Sequence, residues 1–424
     1  MTDRIISVLK SCGIEKWNIV RELSSTQELF YIKKELDLKR IRDVDKHSVT
    51  VYRDIERDGA KLIGSGVFFI HPDMSDDEIA KSVMSAYASA QYAGNPEYEL
   101  ADAVDEPFVK ADNRLSKMTI DEIARGMSAA LFESDNRADS FMNSAELFAT
   151  RREVYIRSSK GTNVGYEQYM VSGEFVVQCK EPQDVELYRD FSYTEYQPER
   201  LSAKVEEALR LVRDRANATE SAPKGSYDVL LTGDNLVTVM SYYLKRSEAS
   251  AVFAGYTDFE VGKGVQGDAV TGDRLNITLC PVAPYSLEGV RMRELRLVED
   301  GVLTRIYGGV RFCRYLGIEP TGIYSKFGLK RGKADMDELK AGRVLYPVTF
   351  SDFQMDEISG NFGGEIRLAY LYEDGKVTLV TGGSINGNIR DGQGSLRLSE
   401  LGYEDSGYEG PYAVRIANVS VAGR

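Results

Sequence analysis

The feature that most constrains this chain is a change of texture at the polar stretch from Asn217 to Gly225. Upstream, amphipathic helical patterns alternate with strand-like runs. Downstream, glycines are frequent, apolar runs are short, and only Asp234 to Arg246 carries a helical period. A chain of 424 residues exceeds the size at which one hydrophobic core keeps growing, so a polar break in its middle reads as a domain linker. We expect an α+β fold: an N-terminal α/β domain of hairpins and amphipathic helices over residues 1–220, and a mostly antiparallel β domain over 221–424.

Local signals fill in the two halves. Ser75 with Glu78, and Thr119 with Glu122, have the spacing of a capping box, in which hydroxyl and carboxylate each satisfy a backbone N–H. Behind the first, Ile79, Val83, Tyr87 and Ala90 recur at helical spacing until Gly94-Asn-Pro96 stops the helix. Behind the second, Ile123, Met127, Ala130 and Leu131 share a face, and a third helix from Glu199 to Ala216 carries Leu201, Val205, Ala208, Leu209 and Val212 as its stripe. Ser48 to Arg53 and Lys61 to Ile70, separated by Asp58-Gly59, predict a hairpin. Glu153 to Arg157, Tyr166 to Ser172 and Glu174 to Cys179 read as strands punctuated by Gly161 and Gly173. In the second half, strands are expected at Arg291 to Leu297, Val302 to Tyr307, Val344 to Thr349, Glu365 to Tyr372 and Lys376 to Thr381, with tight turns at Asp300-Gly301 and Asp374-Gly375.

Charge and residue types narrow the function classes. With 53 basic and 66 acidic residues, the net charge of −13 repels a phosphate backbone, so no direct nucleic-acid partner is expected. Cys12, Cys179, Cys280 and Cys313 show no metal or redox spacing and read as buried thiols in a reducing compartment. The N-terminus lacks a leader pattern and apolar stretches reach only strand length, so a cytoplasmic protein without a membrane segment is expected. A hydrolytic zinc site usually draws on histidines at ligand spacing, and His47 and His71 are the only two here, neither followed by a second. Glycines and a lysine between Gly255 and Gly264 have the wrong spacing for a phosphate-binding loop. The sequence therefore assigns no catalytic residue and no metal ligand.

An ordered set of motifs carries a resemblance. It comprises Tyr227-Asp-Val-Leu-Leu231 entering a helix, Gly262-Lys-Gly-Val-Gln-Gly267 leading to Thr278-Leu-Cys-Pro281, and Leu297-Val-Glu-Asp-Gly-Val-Leu303. Ile358-Ser-Gly-Asn-Phe362, the Leu371 to Lys376 hairpin, Gly382-Gly-Ser-Ile-Asn-Gly387 and the ending Gly410 to Gly423 follow, and upstream the Ser75-capped helix and the Arg157 to Gly161 turn fit the same order. Together these resemble the TldD/PmbA family, whose members are called modulators of DNA gyrase and whose active subunits are zinc peptidases. In the metal-bearing type, the resemblance implies a His-Glu-x-x-x-His motif on the helix after the linker and a cysteine near the C-terminus. Here Leu236 to Lys245 holds neither histidine nor glutamate, and Leu401 to Gly407 holds no cysteine. The resemblance thus implies a PmbA-like (TldE-like) subunit without metal, inactive alone, that pairs with a zinc-bearing TldD-like subunit, or with itself, to process unfolded peptides. Tyr242, Gly255, Asp258 and Gly264 are the expected groove residues, since they flank the place where active relatives hold their metal. A homodimeric peptide-binding or regulatory protein and a divergent hydrolase remain as alternatives.

Overall fold

The structure is a computed structural model that describes residues 1–405 and 407–423. Its first half runs through helix α1 (Thr2–Ser11), strands β1 (Lys16–Ile32), β2 (Glu35–Arg57) and β3 (Ala60–Ile70), helix α2 (Asp76–Ala90) and the short strand β4 (Asn95–Pro96). Helix α3 (Ile120–Glu133), strands β5 (Phe141–Ser158), β6 (Asn163–Cys179) and β7 (Val185–Tyr193), and helix α4 (Pro198–Asn217) complete it. The strands make one antiparallel sheet in the order β4-β3-β2-β1-β5-β6-β7. Both capping boxes form as expected, and the predicted stripes of α2, α3 and α4 are buried apart from Tyr87, which packs at the margin. The α3 and α4 stripes lie over Leu147 and Phe175 of the sheet, while α1 and α2 cover its other end through Ile5, Leu9, Ile79 and Val83.

Two departures have clear physical causes. Gly173 does not break a strand: β6 runs unbroken through it, and a Cβ there would stand 2.0 Å from the Glu146 carbonyl oxygen and 2.8 Å from the Phe191 ring. Its bare Cα permits a close approach of the neighbouring strands β5 and β7 of the same sheet. The long strand β1 lacks a simple apolar alternation because its buried positions include Thr26, Gln27 and Glu28, the last held by Arg40 and Arg42 across the hairpin.

The second half contains β8 (Gly225–Thr232), helices α5 (Asp234–Arg246) and α6 (Ala249–Phe253), β9 (Ile277–Cys280), β10 (Leu295–Glu299), β11 (Val302–Leu303), α7 (Val310–Tyr315), β12 (Lys326–Leu329) and α8 (Met336–Lys340). Strands β13 (Val344–Met355), β14 (Asn361–Glu373), β15 (Lys376–Val380) and β16 (Ser384–Asn388), helix α9 (Ile389–Gly392), and strands β17 (Arg397–Leu398), β18 (Gly402–Asp405), β19 (Tyr408–Pro411) and β20 (Ala413–Ala422) follow. One sheet has the order β11-β10-β9-β12-β19-β18. The other has the order β13-β8-β20-β16-β14-β15, and because β13 also pairs with β14, five strands close into a ring. The expected turns at Asp300-Gly301 and Asp374-Gly375 occur with all four residues at positive φ. The strand expected from Arg291 starts only at Leu295, since Arg291 is drawn to Glu106 at 2.8 Å. Beyond Leu303, Tyr307 makes only an isolated bridge with Glu248.

The polar stretch after α4 is packed rather than free. Ala218 and Ala222 are buried, Thr381 donates its N–H to the Glu220 carbonyl at 2.7 Å, and Leu368 of β14 joins the apolar cluster of α3 and α4. No helix among the described residues is long and apolar enough to cross a membrane.

Candidate binding cleft

Between the two halves lies a cleft of about 1520 Å³. Its first wall consists of Tyr188, Arg189 and Tyr193 on β7 with Arg200, Lys204 and Glu207 on α4. The opposite wall brings together Thr232 to Asn235, where β8 turns into α5, Thr349 to Phe353 on β13, and Gly402 to Asp405 on β18. Gly233 makes the first of these possible: at φ 53° and ψ −131° it occupies a backbone region closed to other residues, so the chain reverses within one residue and α5 points its first turn into the cleft.

Charges of both signs face the cleft, and most are mutually satisfied. Arg200 binds Glu404, which Lys326 also approaches at 3.5 Å, and Lys204 meets Asp405 at 3.2 Å while Tyr403 donates its hydroxyl to the same carboxylate at 3.0 Å. Burial works to raise the Glu404 carboxyl, but Arg200 and Lys326 prevail and hold it below the ordinary range. Desolvation pushes the Asp234 carboxyl up, with Lys204 opposing and Asp405 and Asp190 reinforcing. A chain of hydroxyls runs along the wall: Thr232 to Tyr346 at 3.3 Å, Tyr346 to Tyr412 at 3.3 Å, and Tyr412 donating to Glu207 at 3.1 Å. Burial drives the Tyr346 and Tyr412 phenols upward, so this chain remains protonated at neutral pH.

The edge strands β7 and β18 border the cleft, and three of their carbonyls are engaged by arginines. Glu186 and Tyr188 accept from Arg215 and Arg189, and Glu404 accepts from Arg200 at 3.3 Å. These edges are guarded by guanidinium groups, which turns recognition in the cleft toward side chains.

The chemistry of the donor set disfavours zinc. No histidine lines the cleft: His47 is buried beneath α1, near Thr2, and His71 is exposed at the end of β3. Glu404 and Asp405 are neutralised by basic neighbours, the Cys280 thiol is pushed up by burial, and no group of three His, Cys, Asp or Glu among the described residues is arranged to hold a metal ion. Zinc does not fit the residues present. The cleft hydroxyls likewise have no imidazole to take a proton, so a serine or threonine nucleophile with a histidine base is not assembled here.

The groove residues read from the sequence lie elsewhere. Tyr242 is 1% exposed, in the core of the second half, and its hydroxyl accepts from Arg390 Nε at 2.9 Å. An aromatic ring whose hydroxyl has a partner is stable in the core, which accounts for the burial of Tyr242. Asp258 pairs with Arg246, whose guanidinium stacks over Tyr242 and Phe259, so two of the four residues do meet. Gly255 turns the chain after α6 at φ 71°, and Gly264 bridges to Val302. None of the four lines the cleft. Of the two segments compared for missing ligands, Gly402 to Asp405 line the cleft, whereas Leu236 to Lys245 form the body of α5 behind its wall, with Leu236, Val239, Met240, Tyr242 and Tyr243 in the core; Ser406 lies outside the described residues.

An α+β chain whose antiparallel sheets enclose a cleft walled by both halves is thus the class that fold and site define. Two family models match it: the PmbA/TldA metallopeptidase central domain over residues 102–216 and the C-terminal domain of the same group over residues 224–423. The chain belongs to the PmbA/TldD family. Among solved structures, TldE from Thermococcus kodakarensis is similar with a TM-score of 0.79 at 14% identity, covering 99% of this chain and 100% of that one. Structures described as DNA gyrase modulators from Thermotoga maritima and Bacteroides thetaiotaomicron give TM-scores of 0.76 and 0.77 at 17% and 16% identity. They cover 99% and 100% of this chain and 99% of each of those chains. At these identities the likeness concerns the fold. An uncharacterised protein of Methanocaldococcus jannaschii is 25% identical over 239 residues, 52% of this chain and 53% of its own, so the match spans about half the length of that relative.

Proposed function

We propose that this chain is the metal-free, TldE-like member of an intracellular peptidase assembly of the TldD/PmbA type, closing a chamber around unfolded peptide while a zinc-bearing partner cleaves it. The observation that carries this reading is the wall where the start of α5 meets Gly402 to Asp405. Of the two segments in which the resemblance puts zinc ligands in an active subunit, Leu401 to Gly407 contributes Gly402 to Asp405 to this wall, while Leu236 to Lys245 continues α5 directly behind Asp234 and Asn235 and holds no histidine or glutamate. Here Asp234, Tyr403, Glu404 and Asp405 occupy that wall, and Arg200 and Lys204 tie up two of the carboxylates. The zinc-bearing partner would supply metal-activated water. This chain's part is to bind and enclose: its tyrosines offer apolar area with hydroxyl tips, and its mixed charges hold an extended peptide without reacting with it.

Metal content by elemental analysis tests the reading, on the purified chain alone and after mixing with a TldD-like partner from the same source. The expected outcome is no stoichiometric zinc in the isolated chain, with zinc and peptide cleavage only in the mixture. About one zinc per isolated chain, or cleavage by the isolated chain that survives chelation, overturns it. A stable homodimer that binds peptide but never the partner would favour the regulatory alternative.

A further inference from the structure

We propose that Arg189 anchors a carboxylate carried by the peptide in the cleft, an inference that rests on reading the cleft as a peptide site. The three basic side chains on the first wall are not equivalent. Arg200 and Lys204 each have a carboxylate partner, whereas Arg189 forms no ion pair with any described residue. Its guanidinium donates only to two backbone carbonyls, Tyr188 at 3.0 Å through Nη1 and Val348 at 3.3 Å through Nη2. Those bonds run to β7 on one side and β13 on the other, so they hold the group in place at the seam between the two halves. A guanidinium has five N–H donors in a rigid fork, and on Arg189, which lines the cleft, the two bonds to carbonyls leave three donors without an acceptor among the described residues.

A fixed, half-buried cation with no carboxylate in hydrogen-bonding contact is an unfavourable arrangement by itself, because the group gives up hydration for only long-range compensation. Burial accordingly depresses its pKa, opposed by the charges of Asp234, Glu207 and Asp190, none of which is hydrogen-bonded to it. A ligand carboxylate would complete the fork with two parallel hydrogen bonds. The surroundings select the size of that charge: Asp190, Glu207 and Asp234 would repel a phosphate dianion more strongly than a single carboxylate. The carboxylate can be the C-terminus of the peptide or an Asp or Glu side chain, since the chemistry seen by Arg189 is the same.

The test uses the full-length chain, alone and mixed with its zinc-bearing partner, and three fluorescein-labelled hexapeptides read by anisotropy. One is alanine-based with a free C-terminal carboxylate, the second is the same peptide amidated, and the third is amidated with one alanine replaced by glutamate. The first or third peptide should bind about tenfold more tightly than the second, and which of them does so identifies the source of the carboxylate. In Arg189→Gln the ratio between the carboxylate-bearing and amidated peptides should fall to about one, and Arg189→Lys, which keeps the charge but loses the fork, should retain part of the advantage. Circular dichroism checks that both variants are folded, and the three peptides on the unmodified chain decide the matter if Arg189→Gln is not. Equal binding of all three overturns the anchor and leaves the peptide site standing. Binding of none overturns the peptide reading and the anchor with it.

Discussion

At Arg246 the two ends of one ion pair sit in different surroundings. The Arg246 side chain is 3% exposed while that of its partner Asp258 is 73% exposed. Beyond the carboxylate, Arg246 donates to the carbonyls of Ile358 at 2.7 Å and Tyr256 at 3.0 Å, and lies over the rings of Tyr242 and Phe259 at 5.1 and 5.0 Å. Asp258→Asn removes a solvated charge and should destabilise by under about 1 kcal/mol. Arg246→Met removes a buried guanidinium that joins two carbonyls and two aromatic rings and should cost about 2–4 kcal/mol. Urea denaturation of both variants compares the two, and equal losses would mean that the exposed pair, rather than the buried bonds, holds the loop. The sequence could not show this cluster, because an arginine on a helix and an aspartate twelve positions later carry no mark of meeting. The glycines from Gly255 to Gly267 marked an irregular segment, and Tyr242, read as a groove residue from its place beside them, lies in the core.

Elements whose signals are local were legible, and elements shaped by their neighbours were not. The hairpin turn at Asp58-Gly59 and the helices capped by Ser75 and Thr119 depend on contacts within four residues, and they form where the pattern puts them. Gly173 looks the same in sequence whether it ends a strand or admits a neighbouring chain, and only the approach of the Glu146 carbonyl and the Phe191 ring distinguishes the two. Gly173→Ala pushes a methyl group against the Glu146 carbonyl and the Phe191 ring of the adjoining strands and should destabilise by about 1–3 kcal/mol, while Ser172→Ala beside it should stay within about 0.5 kcal/mol. Thermal melts of the pair check this, and a Gly173 variant as mild as the Ser172 one would mean that the sheet has room for a methyl group. The cleft was illegible for a related reason: β7, α4, β8, β13 and β18 each contribute a few residues, and Arg200 meets Glu404 from 204 positions away. No local pattern encodes such a meeting, and β7 itself gave no strand signal strong enough to direct attention to Arg189.

At the scale of the whole molecule, the two halves share more than a linker. Leu368 of the second half is fully buried in the apolar cluster of α3 and α4, Tyr370 donates to Asp214 at 2.6 Å, Tyr412 donates to Glu207, and Arg200 and Lys204 reach across to Glu404 and Asp405. Two domains joined by a free linker would melt separately, whereas halves that complete each other's cores must lose structure together. Calorimetry should therefore give one transition for the intact chain, and Leu368→Ala, expected to destabilise by about 2–5 kcal/mol, should move the unfolding of both halves to the same lower temperature. Acid probes the same seam. The Glu404 carboxyl is held below its ordinary value of 4.5 in the folded chain, so its contribution is present above that pH and is lost as pH falls through the folded value. The melting temperature should fall below about pH 4.5, and the fall should be shallower in Glu404→Gln, which has no proton to take up there. Two resolved transitions at neutral pH, with Leu368→Ala shifting only one, would instead make the halves independent bodies and the cleft a hinge; a single transition makes its walls one unit, so a peptide anchored on Arg189 would be held by both halves at once.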